Sequence, residues 1–186
     1  ISRNAKEQIL SYEPTEANYA AGTVDKRKWE IYGLGKRAKI EGLVFDNFEI
    51  VKLVSGLAKP YQGLDFGYTN DVTALVNVDI FTGENRLYLD EVCYKTYMLT
   101  KDIISTLRQS NNGRKIWSES ADPRMVDEIH NAGFNIHPVQ KFQGSVKAGI
   151  DKMKGMRICV TERSYNIIKE LKNYTYQQDK NGKWLN

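Results

Sequence analysis

Two acidic residues carry the chemistry this sequence offers. Asp65 sits in Gly63-Leu64-Asp65-Phe66-Gly67, and Glu119 closes Lys115-Ile116-Trp117-Ser118-Glu119. Both stand in short apolar runs that read as strands, where a carboxylate is disfavoured and costly to bury without a partner. The plainer reading of Asp65 is a strand-end aspartate tied to the amides of the next turn. A second carboxylate on a neighbouring strand changes that balance. Two convergent carboxylates make an oxygen-rich site of the kind magnesium and manganese prefer.

The elements that must position this pair are set by the hydrophobic period. Pro60 to Asp65 and Val72 to Ile80 alternate as strands around a polar turn at Tyr68 to Asp71, and Arg86 to Tyr94 makes a third strand after the turn Thr82-Gly83-Glu84-Asn85. These short connections predict a three-stranded antiparallel meander. The period then changes. Ile103, Ile104 and Leu107 mark a helix with Thr100 as its N-cap, Lys115 to Glu119 a fourth strand, and Asp122-Pro123 a capped helix through Val126 and Ile129 to the stop at Gly133. Phe134 to Val139 reads as a strand, Ser145 to Met156 as a helix, Arg157 to Thr161 as a strand and Tyr165 to Leu171 as a helix. Residues Tyr174 to Leu185 read as a hairpin around Asn181-Gly182. A meander succeeded by alternating helices and strands predicts an α/β fold, a mixed sheet covered by helices, in which the first and fourth strands can be neighbours.

Residues 1–56 differ in character from the rest of the chain. Charges are scattered, and Pro14, Gly22, Gly33, Gly35 and Gly42 interrupt any pattern. This stretch reads as an arm or linker, with a short helix over Asn4 to Tyr12 and short strands at Gly42 to Phe45 and Phe48 to Val51. Gly33-Leu34-Gly35-Lys36-Arg37 lacks both the spacing of a phosphate loop and the hydroxyl residue after lysine, which excludes a P-loop ATPase. The chain has 186 residues, 41% of them hydrophobic, enough for one core, and a net charge of +4 compatible with a polyanionic partner. Cys93 and Cys159 are far apart among apolar neighbours and read as reduced core residues. No apolar run reaches membrane-spanning length, and Ile1 to Leu10 has no signal-peptide core.

The strings GLDFG, YTND, IWSESADP, KFQGSVKAGI and YTYQQDKNGKWLN, in this order, resemble the nuclease domain of the large terminase subunit of tailed bacteriophages. That family is similar in fold to ribonuclease H and integrases. The resemblance implies a ribonuclease H-like domain over 57–186, with 1–56 an arm leading from a packaging ATPase domain outside this sequence. It implies a metal-dependent endonuclease of the host cytoplasm that cuts double-stranded concatemeric viral DNA during packaging, with the small terminase subunit and the portal as partners. Asp65 matches the first metal-binding aspartate of the family and Glu119 the second acidic ligand. The third, an aspartate on a helix after the hairpin, has no counterpart before Asn186, so that helix is expected to lie outside the sequence.

Such a site hydrolyses phosphodiesters with two Mg2+ or Mn2+ ions roughly 3.5 to 4 Å apart. Arg124, Lys141, Lys147, Lys180 and Lys183, with Lys152 and Lys154, are the cations expected to contact DNA phosphates; each alone reads more simply as a solvated side chain. The hairpin, with Tyr174, Tyr176 and Trp184, either gates DNA access or packs its aromatic residues on the core. Asp71 and Asp122 lie near the expected site, where Asp71 is expected to organise its turn and Asp122 to cap a helix, and Glu91 to serve as a reserve ligand. His130 and His137 have no zinc-ligand spacing. Two alternatives of another class stand beside the nuclease. One is a catalytically inactive module that docks to DNA or the portal; the other is a lobe of an actin-like ATPase, which would need a second glycine-rich loop.

Overall fold

A computed structural model of the chain describes residues 2–35, 42–52, 59–119, 122–178 and 184–185. Its contacts divide the chain into one unit at Ile1–Glu41 and another at Gly42–Asn186. In the first, α1 (Arg3–Ser11), α2 (Glu16–Ala20) and α3 (Lys26–Lys28) start at Ser2, Thr15 and Asp25, whose side chains each accept a backbone N–H of the first turn. A single π-helical turn, Trp29–Gly33, comes directly after α3.

The second unit is built on a seven-stranded sheet. In chain order the strands are β1 (Phe48–Val51), β2 (Lys59–Asp65), β3 (Thr73–Phe81), β4 (Arg86–Lys95), β5 (Lys115–Ser118), β6 (Ile136–Pro138) and β7 (Arg157–Thr161). They lie side by side in the order β1-β7-β4-β3-β2-β5-β6. The meander β2-β3-β4 is antiparallel, as its short turns require, while β5 joins β2, β6 joins β5, β7 joins β4 and β1 joins β7 in parallel. Phe48 to Val51, placed in the arm by the sequence, is thus an edge strand of this sheet. Gly42 to Phe45 is not a strand. Leu43 makes one isolated bridge to Thr175, and Val44 and Phe45 are buried beneath it.

Four helices cover the two faces. Helices α4 (Thr100–Ser110) and α5 (Pro123–Asn131) bury Ile103, Leu107, Val126 and Ile129 against Leu64, Leu75, Cys93, Ile116 and Ile136. Helices α6 (Ser145–Lys154) and α7 (Tyr165–Asn173) bring Ile150, Met153, Ile167, Ile168 and Leu171 onto Leu87, Leu89, Ile158 and Val160 on the other face. A bulge in β4 explains how one strand supplies both cores. The register to β3 slips between Leu75 and Val76, so Leu87 and Leu89 face one way and Cys93 the other.

Two further details differ from the sequence reading, while the tail agrees with it as far as it is described. Thr100 is the first residue of α4 rather than its cap; the Asp102 carboxylate reaches back to accept the Leu99 N–H at 3.0 Å. The tail pairs as β8 (Gln177–Gln178) with β9 (Trp184–Leu185), while the expected turn at Asn181-Gly182 lies outside the described residues. Glu91 is no reserve ligand, because its carboxylate accepts the Asn166 and Ile167 N–H groups and the Asn166 side chain at the start of α7. A carboxylate satisfies the orphan donors of a helix N-terminus, and this one is thereby held away from Asp65.

A row of polar side chains crosses the α4/α5 face. Fully buried Gln62 donates to Asn77 and accepts from Asn111, and Asn77 donates to Asp90. Asp90 also accepts from Thr161 at 2.7 Å and twice from Arg163. Burial by itself would raise the Asp90 carboxyl; the hydrogen bonds from Arg163, Thr161 and Asn77, with the Arg163 charge, outweigh it and hold the pKa below the ordinary aspartate value of 3.8. A depressed carboxyl adds stability above its unfolded pKa and loses it as pH falls through the folded one. Asp90→Asn is therefore expected to cost about 2 kcal/mol at pH 7. Urea unfolding of both proteins should show that difference shrinking as the pH drops below 3.8.

Candidate metal-binding active site

The parallel pairing of β2 and β5 brings the two acids together. Leu64 and Ser118 are register partners, and the Glu119 N–H donates to the Leu64 carbonyl at 3.1 Å, carrying the ladder one step further. Asp65 and Glu119 therefore end adjacent strands, whose backbones run roughly 4.8 Å apart. Alternation along the strands puts both on the face of Gly63 and Trp117. The Val139 N–H extends the β5/β6 pairing in the same way, bonding to the Ser118 carbonyl at 2.8 Å, and the chain leaving β6 delivers Lys141. Its Nζ lies 3.8 Å from Glu119 Oε2.

The turn between β2 and β3 completes the cluster. Gly67 is required there, since a Cβ would stand 2.4 Å from the Val72 carbonyl oxygen. Its N–H and carbonyl both bond to the Thr73 hydroxyl, at 3.3 and 2.8 Å, folding the turn back on the strand. Asp71 comes within electrostatic range of Asp65 as a result. The Asp65 side chain reaches solvent, but the strand ends strip part of its hydration. That desolvation is the main influence on its carboxyl, Lys141 opposes it and Asp71 adds to it, and the pKa rises above 3.8.

This site opens onto a bare part of the sheet. Helices α6 and α7 cover β4 and β7, leaving Trp117 41% exposed on β5. Lys115 lies over the Trp117 ring at 4.4 Å from its centroid, and the His137 ring stands 5.5 Å away on β6. His137 itself bonds to Asn135, a structural arrangement rather than a metal one. A Cβ built on Gly63 would meet nothing within 4 Å.

The other residues singled out by sequence are spread over several elements. Asp122 caps α5, accepting the Arg124 N–H at 3.1 Å, and exposed Arg124 pairs with it at 3.5 Å. Arg124 and Lys147 lie in the first turns of α5 and α6, and Lys147 lines a pocket with Val44, Ile150 and Tyr174. Lys152 and Lys154 occupy the last turn of α6, about 10 Å further along its axis. Lys154 bonds to the Tyr176 hydroxyl, and Tyr174 stacks on Phe45, so both tyrosines pack against the domain. Lys180 and Lys183 lie outside the described residues. Cys93 and Cys159 are buried free thiols, raised in pKa by that burial. Sequence reasoning selects Lys141 as a DNA contact but misses its place on Glu119, which depends on the β5/β6 pairing. It places Asp71 near the site but gives it only to its turn, without seeing that its charge acts on Asp65.

Among the described residues no three His, Cys, Asp or Glu side chains converge as a metal-binding group. Asp65 and Glu119 nonetheless fit part of a hard-cation site. Both are carboxylates at solvent-reaching strand ends, and the remaining coordination positions suit water and phosphate oxygens.

Acidic residues at the carboxyl ends of β2 and β5, in a mixed sheet opened by a meander and covered by helices on both faces, define a ribonuclease H-like α/β domain. The family model of the terminase RNase H-like domain matches residues 65–186, well over half of the chain, and the chain belongs to that family. The PBSX phage terminase large subunit of Bacillus subtilis (strain 168) is 27% identical over 161 residues, covering 84% of this chain and 37% of that protein. The terminase large subunit of Bacillus phage SPP1 is 32% identical over 126 residues, covering 65% of this chain and 30% of that one. The chain thus spans about a third of the length of these curated relatives. In fold it superposes on the SPP1 large terminase nuclease domain, solved with bound manganese, with a TM-score of 0.67 and 28% identity over 76% of this chain and 86% of that one. The P22 large terminase nuclease domain shares the fold at a TM-score of 0.59 and 17% identity over 78% of this chain and 84% of that one.

Because its surroundings disfavour the Asp65 carboxylate, that charge contributes nothing to folding at neutral pH. Asp65→Asn is expected to leave metal-free stability within about 0.5 kcal/mol of wild type or slightly above it. Thermal unfolding in chelator checks this, and a loss well beyond that range would give Asp65 a structural role instead.

Proposed function

We propose that this chain is the nuclease module of a phage packaging enzyme, a metal-dependent endonuclease that cuts double-stranded concatemeric DNA. The observation that carries this reading is the placement of Asp65 and Glu119 on adjacent parallel strand ends, open to solvent on a bare stretch of sheet. In this reading Asp65 and Glu119 would be the residues that hold the Mg2+ or Mn2+ ions of a two-metal site. A bound divalent cation supplies Lewis-acid polarisation of the phosphate and a more acidic water.

The chain's own residues supply placement and charge. Asp65 and Glu119 project from a sheet locked on both sides, so their geometry is set before substrate arrives. Arg124 and Lys147 rise from helix first turns and contact the DNA backbone. Phosphate contacts position a duplex without reading its sequence, so cutting has little base preference. The packaging ATPase domain, small subunit and portal act as partners of the whole protein, and its place is the host cytoplasm. Among the described residues no helix is long and apolar enough to cross a membrane.

A second reading, a ribonuclease H-like module that binds DNA or the portal without cutting, is favoured by one observation. Two acids converge on Lys141, and no third joins them as a metal-binding group among the described residues.

Incubation with supercoiled plasmid and manganese or magnesium separates the two. Relaxed and linear DNA are expected, with chelator abolishing the activity. Asp65→Ala and Glu119→Gln are expected to lose at least about a hundredfold in rate, since even outer partners of a metal site are worth ten- to a hundredfold. DNA retained in a gel-shift assay without any cleavage, at every metal concentration, would favour the docking module.

A further inference from the structure

Lys141 holds a position that a DNA contact alone does not explain. Its ammonium lies 3.8 Å from Glu119 Oε2 and acts electrostatically on Asp65, so one cation serves two carboxylates on neighbouring strands. Asp71 adds a third negative charge near Asp65. Acids at adjacent strand ends favour a nearby cation, and Lys141 is the cation that the β6 exit places on Glu119.

We propose that Lys141 is the resident counter-ion of the active site, its ammonium seated on Glu119 where a divalent cation would bind, so that metal binding displaces it. The inference rests on the metal-nuclease reading above. Two features suit a displaceable occupant. The Lys141 side chain is 66% exposed while Glu119 is only 23% exposed, so the lysine reaches in from solvent over a partly buried acid. The contact is also long for a charge-assisted hydrogen bond, and an exposed pair of this kind is weak. A flexible four-carbon stem lets the ammonium swing away without moving the backbone. Once displaced, the ammonium remains at the strand edge, where the phosphate of a bound duplex must approach. Lys141 is therefore a positioning residue: it screens the acids before metal arrives and yields the site afterwards.

The test is calorimetric titration of Mn2+ alone into the wild-type chain, Lys141→Met, Lys141→Gln, Lys141→Arg and Asp65→Asn, with circular dichroism confirming that each is folded. Removing a unit charge about 4 Å from the ion site is expected to tighten Mn2+ binding by about three- to tenfold in Lys141→Met and Lys141→Gln. Lys141→Arg, which keeps the charge, is expected to stay near wild type, and Asp65→Asn to bind at least tenfold more weakly. Wild-type binding with unchanged or weaker affinity in Lys141→Met and Lys141→Gln would overturn the counter-ion role and leave the nuclease reading standing. Mn2+ binding that is absent from the wild type, or insensitive to Asp65→Asn, would instead overturn the metal-site reading and this inference with it. A role confined to DNA contact would weaken DNA binding in Lys141→Met without moving Mn2+ affinity, which also counts against the proposal.

Discussion

The constraint on which the site depends is electrostatic. Parallel register between β2 and β5 places Asp65 beside Glu119, and the turn after β2 folds Asp71 toward them. Acids at adjacent strand ends, with Asp65 partly stripped of its hydration, favour a nearby cation. The fold meets that need in the metal-free state with Lys141, delivered by the parallel neighbour β6. Charge balance at three adjacent strand ends therefore links the sheet order to the chemistry.

That sheet order is held by features on the opposite face. The Gln62, Asn77, Asp90 and Thr161 row joins β2, β3, β4 and β7 by side-chain hydrogen bonds, and Arg163 closes it at Asp90. A row of this kind is satisfied in one register only, because a one-residue slip would turn every member to the other face. The same logic fixes Glu91. Glu91 follows Leu87 and Leu89 onto the α7 side of β4, where its carboxylate caps that helix. The position of Asp65 is thus set from both sides of the sheet.

Much of the fold was legible along the chain because the signals are local. Alternation in Thr73 to Phe81 and Arg86 to Lys95, a short polar turn between them, and the Asp122-Pro123 helix start are all decided within a few residues. The misreadings concern groups whose partner lies elsewhere. Thr100 has the right chemistry for a cap, but the cap position falls one residue earlier, at Leu99, whose N–H the Asp102 carboxylate accepts. Gly42 to Phe45 has strand composition, yet the only pairing it finds among the described residues is a bridge to Thr175, so its burial is that of a plug. Lys154 bonds to the Tyr176 hydroxyl, a partner supplied by the tail beyond α7 that no local pattern shows.

The candidate site divides along the same line. Residue types and strand context alone singled out Asp65 and Glu119 as its candidate acids, because a carboxylate inside an apolar strand is costly and needs a specific partner. Only the tertiary structure decided that Lys141 faces them, that Asp71 adds to their field, and that Glu91 and Asp90 are committed to α7 and Arg163. The physical reason is range. Backbone period and turn chemistry act over a handful of residues, whereas the charge around a carboxylate is set by whatever the strand pairing brings within a few ångströms, from anywhere in the chain.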